Sequence, residues 1–166
     1  YSSKTKVRSH CCLSWQLNSD FGGKGSGKNI CFRDLHALDP VKMTWYQGPD
    51  GACAPTARFG HTSTLVGGNK MFVFGGWNGK DFFNDLHILD LELMAWIRPP
   101  TTGPEPTPRQ GHCAILIGNN LIIHGGTNTE KRCSEKLISN KDLSFETHTT
   151  TTSKCLTPNH LSGQDF

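Results

Sequence analysis

The chain has 166 residues and a formal net charge of only +3, which argues against nucleic acid or a membrane surface as its partner. No apolar run approaches the about 18 residues needed to span a bilayer, and residues 1–15 lack the apolar core of a signal peptide. The seven cysteines are odd in number and have no repeating spacing, so we expect reduced thiols and a location in the cytoplasm, with the nucleus as the alternative.

The first part of the chain carries an incomplete pattern. Polar Asn18–Asp20 stands where a later copy of the pattern has the apolar run Met71–Val73, which predicts an exposed edge strand or a misfolded terminal unit. The stretch Phe32–Trp45 fits the later copy well. We therefore expect a degraded first unit over residues 1–46.

The middle part, residues 47–97, is a complete unit of four predicted strands. Ser63–Val66 forms the first strand, Gly67–Lys70 a tight turn, and Met71–Phe74 a buried strand that is predicted to end at a double glycine. Asp85–Leu89 supplies the third strand, and the fourth carries Trp96.

The third unit, residues 98–145, begins with predicted strands at Ala114–Ile117 and Leu121–Ile123 and is degenerate in its second half. The proline-rich segments Gln47–Ala57 and Pro99–Pro108 are predicted to be connecting loops, because proline fixes φ and removes a donor. Residues 146–166 lose the pattern and are predicted to be a disordered tail.

The fold is indicated most clearly by residue types that recur about every 50 positions. The recurring set begins with Arg8, Arg58 and Arg109, each of which has a histidine two or three residues later. It continues with Gly22, Gly23, Gly75, Gly76, Gly125, Gly126, His61, His112, Asp85, Asp90, Trp45 and Trp96, to which we assign structural roles. A period of about 50 residues with four short strands per unit is typical of kelch propellers. The predicted fold is therefore all-β, a partial kelch β-propeller of about three four-stranded antiparallel blades.

The Arg-x-Gly-His start, the double glycine and the Leu-His-x-Leu-Asp strand resemble the kelch arrays of host-cell-factor-like and leucine-zipper-like adaptor proteins. That resemblance implies a protein–protein interaction module, a scaffold or adaptor whose loops at one propeller face bind a protein or peptide. The alternative is a fragment of a kelch-type enzyme (oxidase, specifier protein or sugar epimerase) whose active site lies in other blades. A third reading is a truncated product with no function of its own. Three units fall short of the four to eight blades of closed propellers, so open blade edges leave self-association as a further expectation.

Patterns suggestive of a catalytic or cofactor site are weak. Gly22–Lys28 fits the first seven positions of a phosphate-binding loop, but Asn29 stands where Ser or Thr should hold magnesium, and the next segment is predicted to be a strand. The histidines recur on different units, which favours structural roles over a metal site. We predict no catalytic residue, no metal and no cofactor.

The candidate partner-binding residues fall into two groups. By the kelch resemblance, Arg58 and Arg109 would line the face that captures an acidic peptide, as guanidinium groups suit carboxylates; the alternative is that they bind backbone carbonyls or the repeated aspartates. The loop after the second double glycine supplies Trp77, Asn78, Lys80 and Phe82, a plausible anchor because aromatic residues dominate interface energetics. One of its phenylalanines is expected to pack on a neighbouring blade instead.

Overall fold

A computed structural model describes residues 6–7, 10–13, 18–26, 30–129, 133 and 136–139, with side chains at residues 21–26, 30–129 and 133. Arg8 and the predicted tail at 146–166 lie outside the described residues. Every regular element in the described part is a strand, which confirms the predicted all-β class. The strands are β1 (Lys6–Val7), β2 (His10–Leu13), β3 (Asn18–Gly25), β4 (Cys31–Asp39), β5 (Thr44–Gln47), β6 (Thr62–Val66), β7 (Lys70–Trp77), β8 (Phe82–Asp90), β9 (Ala95–Ile97), β10 (Gln110–Ile117), β11 (Asn120–Thr127) and β12 (Lys136–Ser139).

These strands form three antiparallel sheets, which we call blades 1, 2 and 3. Blade 1 has the order β1-β3-β4-β5 with β2 also paired to β3, blade 2 the order β6-β7-β8-β9, and blade 3 the order β10-β11-β12. In blade 3, β12 places Leu137 and Ile138 opposite Ile122 and Leu121. The described sheets thus follow one another along the chain, each built from neighbouring strands.

Two local expectations are wrong. Strand β7 does not end at the double glycine but continues through Gly75 and Gly76 to Trp77, with a bulge after Phe74. The bulge is possible because Gly75 and Gly76 have φ of 65° and 104°, which side chains disfavour. Strand β3 is an interior strand paired on both sides rather than an edge, because ladder hydrogen bonds use the backbone and do not need apolar side chains.

The core lies between the blades because strand β7 is covered on both faces. Met71 and Val73 pack towards Phe21 and Leu35 of blade 1. Their neighbours on the opposite face pack towards blade 3, in a cluster that contains Phe72, Phe74, Leu86, Ile88, Leu121 and Ile123. Alternate residues of a strand point to opposite sides, so one apolar run serves two interfaces.

Backbone hydrogen bonds join successive blades at one end. The Gly23 N–H donates to the Arg58 carbonyl at 2.9 Å, and the Gly76 N–H donates to the Arg109 carbonyl at 2.8 Å. A Cβ on Gly22 would lie 2.8 Å from the Arg58 carbonyl oxygen, closer than real contacts allow. The double glycine is therefore required where the next blade begins.

Repeated aromatic contacts complete each joint. The His61 ring meets Phe21 edge-on with centroids 5.6 Å apart, and His112 meets Phe74 at 5.4 Å. Trp96 packs on Phe21 at 5.2 Å and donates its indole N–H to the Pro49 carbonyl at 3.1 Å. These residues hold one blade on the next.

The connection between blades 2 and 3 is exposed in its middle and anchored at its end. Residues 101–104 are all exposed. The Asn84 amide donates to the Glu105 carboxylate at 3.0 Å and to the Pro106 carbonyl at 3.2 Å. The loop is thus fixed just before Arg109 starts the next blade.

Candidate partner-binding surface

The loop between β7 and β8 is a tight turn organised by Asn78. Its side-chain oxygen accepts from the Lys80 N–H at 2.8 Å and the Asp81 N–H at 2.7 Å, and Gly79 takes a φ of 100°. An asparagine that bonds the backbone two residues on is a common turn-forming device. Asn78 is therefore committed to shaping the turn, while Lys80 and Asp81 are exposed at its tip.

Three half-buried aromatic side chains meet at the base of this turn, and we call them the aromatic corner: Phe59, Trp77 and Phe82. Trp77 stacks on Phe82 with centroids 5.7 Å apart and meets Phe59 edge-on at 5.3 Å. Backbone hydrogen bonds of 2.9 and 3.0 Å between Trp77 and Phe59 fix the arrangement. The indole nitrogen of Trp77 is buried and finds no hydrogen-bond partner among the described residues.

One lysine contacts the aromatic corner, and a second stands beside Asp81 in the adjoining turn. The Lys24 ammonium of blade 1 lies 5.3 Å from the centre of the Phe59 ring, within cation–π range. Lys80 is exposed at the turn tip. The surface therefore combines apolar rings with two lysines supplied by two blades.

Arg58 lies beneath this surface rather than on it. It is 0% exposed, and its guanidinium donates to both Asp85 carboxylate oxygens at 2.5 and 2.9 Å, and to the Gly75 carbonyl at 3.0 Å. Its Cζ atom lies over the Phe83 ring, 4.2 Å from the ring centre. Arg58 therefore binds a repeated aspartate and a backbone carbonyl, as in the second of the two interpretations of the sequence.

Asp85 is the centre of a buried polar network. Its Oδ2 lies 2.9 Å from His87 Nε2, and His87 Nδ1 lies 2.9 Å from the Cys53 carbonyl in the preceding connection. Burial acts to raise the pKa of Asp85, but the hydrogen bonds and charges of Arg58 and His87 outweigh it and hold that pKa well below its usual range. The carboxylate stays ionised and ties blade 2 to the segment before it.

Arg109 repeats the same placement in blade 3. It is 3% exposed, and it donates to the Thr107 carbonyl and the Gly125 carbonyl at 3.0 Å each, and to the Thr107 hydroxyl at 2.8 Å. The two arginines therefore hold the ends of the blade-connecting segments.

Of the six residues singled out from the sequence, four lie together at the β7–β8 turn: Asn78 and Lys80 in the turn itself, and Trp77 and Phe82 at the ends of the two strands. Arg58 and Arg109 are instead buried, one blade apart. Sequence reasoning missed Phe59 and Lys24. Both follow recurring residues, Phe59 after Arg58 and Lys24 after Gly23, which is a usable signal once the blade joints are known.

The described residues do not form a metal site or a phosphate-binding loop followed by a helix. Across the described ranges, no three His, Cys, Asp or Glu side chains are placed to hold a metal. The segment after Gly22–Lys28 is strand β4, beginning at Cys31, so a helix N-terminus does not follow the glycines. No helix in the described part of the chain has the length and apolar character to cross a membrane.

Comparison with known proteins defines the family. The model described as the KLHDC2/KLHL20/DRC7 Kelch-repeats domain matches residues 7–164. The chain belongs to the kelch-repeat family, and the partial kelch propeller predicted from the repeat is confirmed.

Several relatives share this region within longer proteins. Acyl-CoA-binding domain-containing protein 4 of Arabidopsis thaliana is 37% identical over 120 residues, which cover 72% of this chain and 18% of that protein. The Rab9 effector protein with kelch motifs of Homo sapiens is 38% identical over 110 residues, 64% of this chain and 29% of that protein. The chain thus spans less than a third of either relative.

Proposed function

We propose that the chain is a non-enzymatic protein-binding module whose contact surface is the aromatic corner with its flanking lysines. The observation that carries this proposal is the grouping of Phe59, Trp77 and Phe82, with Lys24 over the Phe59 ring and Lys80 in the adjoining turn. Partly exposed aromatic residues on a defined turn can anchor a partner at low entropic cost. The name of the Rab9 effector relatives describes effector proteins, which agrees with a binding role.

The chemistry of this surface favours an acidic segment with an apolar side chain. The lysines supply the charge, and the rings supply the apolar contact. The buried Trp77 indole N–H could gain an acceptor if a partner turned the ring outwards, which would remove the cost of an unpaired buried donor. Arg58 and Arg109 would support this surface from below rather than contact the partner.

Two further expectations remain proposals. A location in the cytoplasm or nucleus is supported by the odd number of cysteines and by their lack of a repeating spacing. Self-association is a separate matter that depends on other surfaces of the chain.

The test is selection of peptides from a displayed random library on the full 166-residue chain, followed by fluorescence polarisation with the selected peptides. We expect Trp77→Ala to weaken binding at least about tenfold and Lys80→Glu to weaken binding of acidic peptides about threefold to tenfold. Trp45→Ala and Lys42→Glu are the matched controls, because both wild-type residues are exposed on blade 1 away from the turn. Equal losses in the controls, or peptides that ignore Trp77→Ala, would overturn the proposal.

A further inference from the structure

The turn between β7 and β8 contains a pair of residues with a reactivity of its own. Asn78 is followed by Gly79, and no other asparagine of the 166-residue chain is followed by glycine. The backbone nitrogen of the next residue can attack the side-chain amide of an asparagine, and glycine offers that nitrogen with no Cβ in the way. The geometry of the turn favours each step of this attack.

The attacking nitrogen is held by no hydrogen bond. The Gly79 N–H donates to no acceptor within the part of the chain that the structure describes. Gly79 also has a φ of 100°, a conformation that side chains disfavour, so the turn requires glycine at this position. The nitrogen therefore loses no hydrogen bond when it closes a ring on Asn78 Cγ.

Two backbone N–H groups point at the atom on which negative charge develops. The Lys80 and Asp81 N–H groups donate to Asn78 Oδ1 at 2.8 and 2.7 Å. Attack on Cγ converts this carbonyl oxygen into an oxyanion, and donors already in place at such an oxygen lower the barrier to its formation. The hydrogen bonds that shape the turn thus also form an oxyanion hole around its own side chain.

The leaving nitrogen lies near a carboxylate. Asn78 Nδ2 is 3.5 Å from Asp81 Oδ2, and Asp81 is exposed. The carboxyl group of Asp81 can therefore pass a proton to that nitrogen, as a general acid does. The nitrogen needs this proton because it leaves as ammonia rather than as an amide anion.

We propose that Asn78 is a modification site at which the turn converts its own asparagine, without an enzyme, through the Gly79 nitrogen. The bond from Gly79 N to Asn78 Cγ forms, the bond from Cγ to Nδ2 breaks, and the Gly79 proton passes by way of Asp81 to the departing ammonia. Water then opens the resulting succinimide at either carbonyl, so the residue becomes aspartate or isoaspartate. Water is the only other reactant.

Both products reduce the positive character of the partner-binding surface, a consequence that rests on the proposed function. Aspartate places a new negative charge between the aromatic corner and Lys80, close to the carboxylate of Asp81. Isoaspartate carries the same charge and also lengthens the main chain inside the turn that closes the Trp77–Phe82 pair. Conversion therefore weakens the binding of acidic peptides as the protein ages.

The test is to age the full 166-residue chain near neutral pH and to follow its tryptic peptides by mass spectrometry. Cleavage after arginine and lysine gives peptides 59–70 and 71–80, each with a single asparagine, Asn69 and Asn78. Asn69 is the internal control, because it is also half-buried in a glycine-containing turn but is followed by lysine. We expect deamidation at Asn78 to be at least about tenfold faster than at Asn69.

Two variants test the geometry of the turn. Asp81→Asn keeps the backbone N–H at this position and removes the carboxylate, so conversion should slow about tenfold or more. Gly79→Ala places a Cβ beside the attacking nitrogen and should slow conversion at least as much. Glu92→Gln is the matched control, since Glu92 is an exposed carboxylate in the turn between β8 and β9. Circular dichroism checks that each variant keeps its strands.

Equal rates at Asn69 and Asn78 would overturn the proposal, and so would an Asp81→Asn chain that converts as fast as wild type. The effect on binding is measured separately, with the converted chain isolated by ion exchange and titrated with peptides selected on fresh protein. We expect about threefold to tenfold weaker affinity, and unchanged affinity would remove the regulatory role. A chain that selects no peptide would contradict the proposed function, whereas the mass measurement decides the modification in either case.

Discussion

Blades 1 and 2 contain the same Asp-x-His pair, and its surroundings differ. Asp34 and His36 contact each other at 2.7 Å, and Asp85 and His87 at 2.9 Å. In blade 2 the pair is joined by the fully buried Arg58 and reaches the preceding connection, whereas the His36 side chain in blade 1 is only partly buried, with 41% of it exposed. The repeat therefore sets which residues meet, and the surroundings of each blade set how far the pair is buried.

The largest expected difference comes from the arginines. Arg58→Met should lower the free energy of unfolding by about 3–5 kcal/mol, because it leaves the largely buried Asp85 carboxylate and the Gly75 carbonyl without their donor. Arg33→Met removes the exposed Arg33–Asp50 pair of blade 1 and should cost at most about 1 kcal/mol. Urea unfolding of both variants measures the difference, and equal losses would remove the contrast between the blades.

Acidification should weaken the same network by protonating Asp85. Since the pKa of Asp85 is lowered in the folded chain, the ionised carboxylate contributes stability that is present above the ordinary pKa of about 4 and lost as the pH falls below it. The gap in stability between wild type and Asp85→Asn should therefore be widest near pH 7 and narrow below about pH 4. Urea midpoints across that range test this, and a gap that widens in acid would contradict it.

The equivalent tryptophans should show a smaller difference in stability between blades 1 and 2. Trp96→Phe should cost about 1–3 kcal/mol, because the Pro49 carbonyl loses its donor and a gap opens against Phe21. Trp45→Phe should change stability by no more than about 0.5 kcal/mol, since that ring is mostly exposed. Thermal melts at one fixed protein concentration compare them, and a large effect at Trp45 would mean that its face is covered.

The histidines should give the smallest effect. His87→Gln should cost about 1 kcal/mol, because it disturbs hydrogen bonds to Asp85 and the Cys53 carbonyl. His36→Gln should stay within about 0.5 kcal/mol on the exposed blade 1 face. Hydrogen exchange of the amides at residues 51–54 would show whether the His87 variant loosens the connection, as the structure leads us to expect. Unchanged exchange there would separate His87 from that role.

The sequence allows the fold to be predicted because the repeat carries backbone information. A double glycine, as at Gly75 and Gly76, marks a position where positive φ and close approach exclude side chains. The period of about 50 residues then makes Trp96 equivalent to Trp45 and His112 equivalent to His61. These features depend on residue type and spacing alone.

The candidate surface was predicted only in part, since it forms across a blade joint. The loop residues Trp77 and Phe82 stand out as neighbouring aromatics in the sequence. Phe59 joins them through an isolated backbone bridge to Trp77, and Lys24 comes from another blade. Contacts of this kind depend on how one unit sits against the next, and spacing does not show that.

The anchored connection between blades 2 and 3 makes this stretch the best position for a label. Residues 101–104 are exposed, and Asn84 holds the segment just beyond them, so added residues there would leave the register of Arg109 unchanged. Doubling the length of a flexible loop adds only about 0.6 kcal/mol of closure entropy. A fluorophore or epitope inserted after Thr102 would therefore track the molecule in cells or on a sensor surface without disturbing the joint between the two blades.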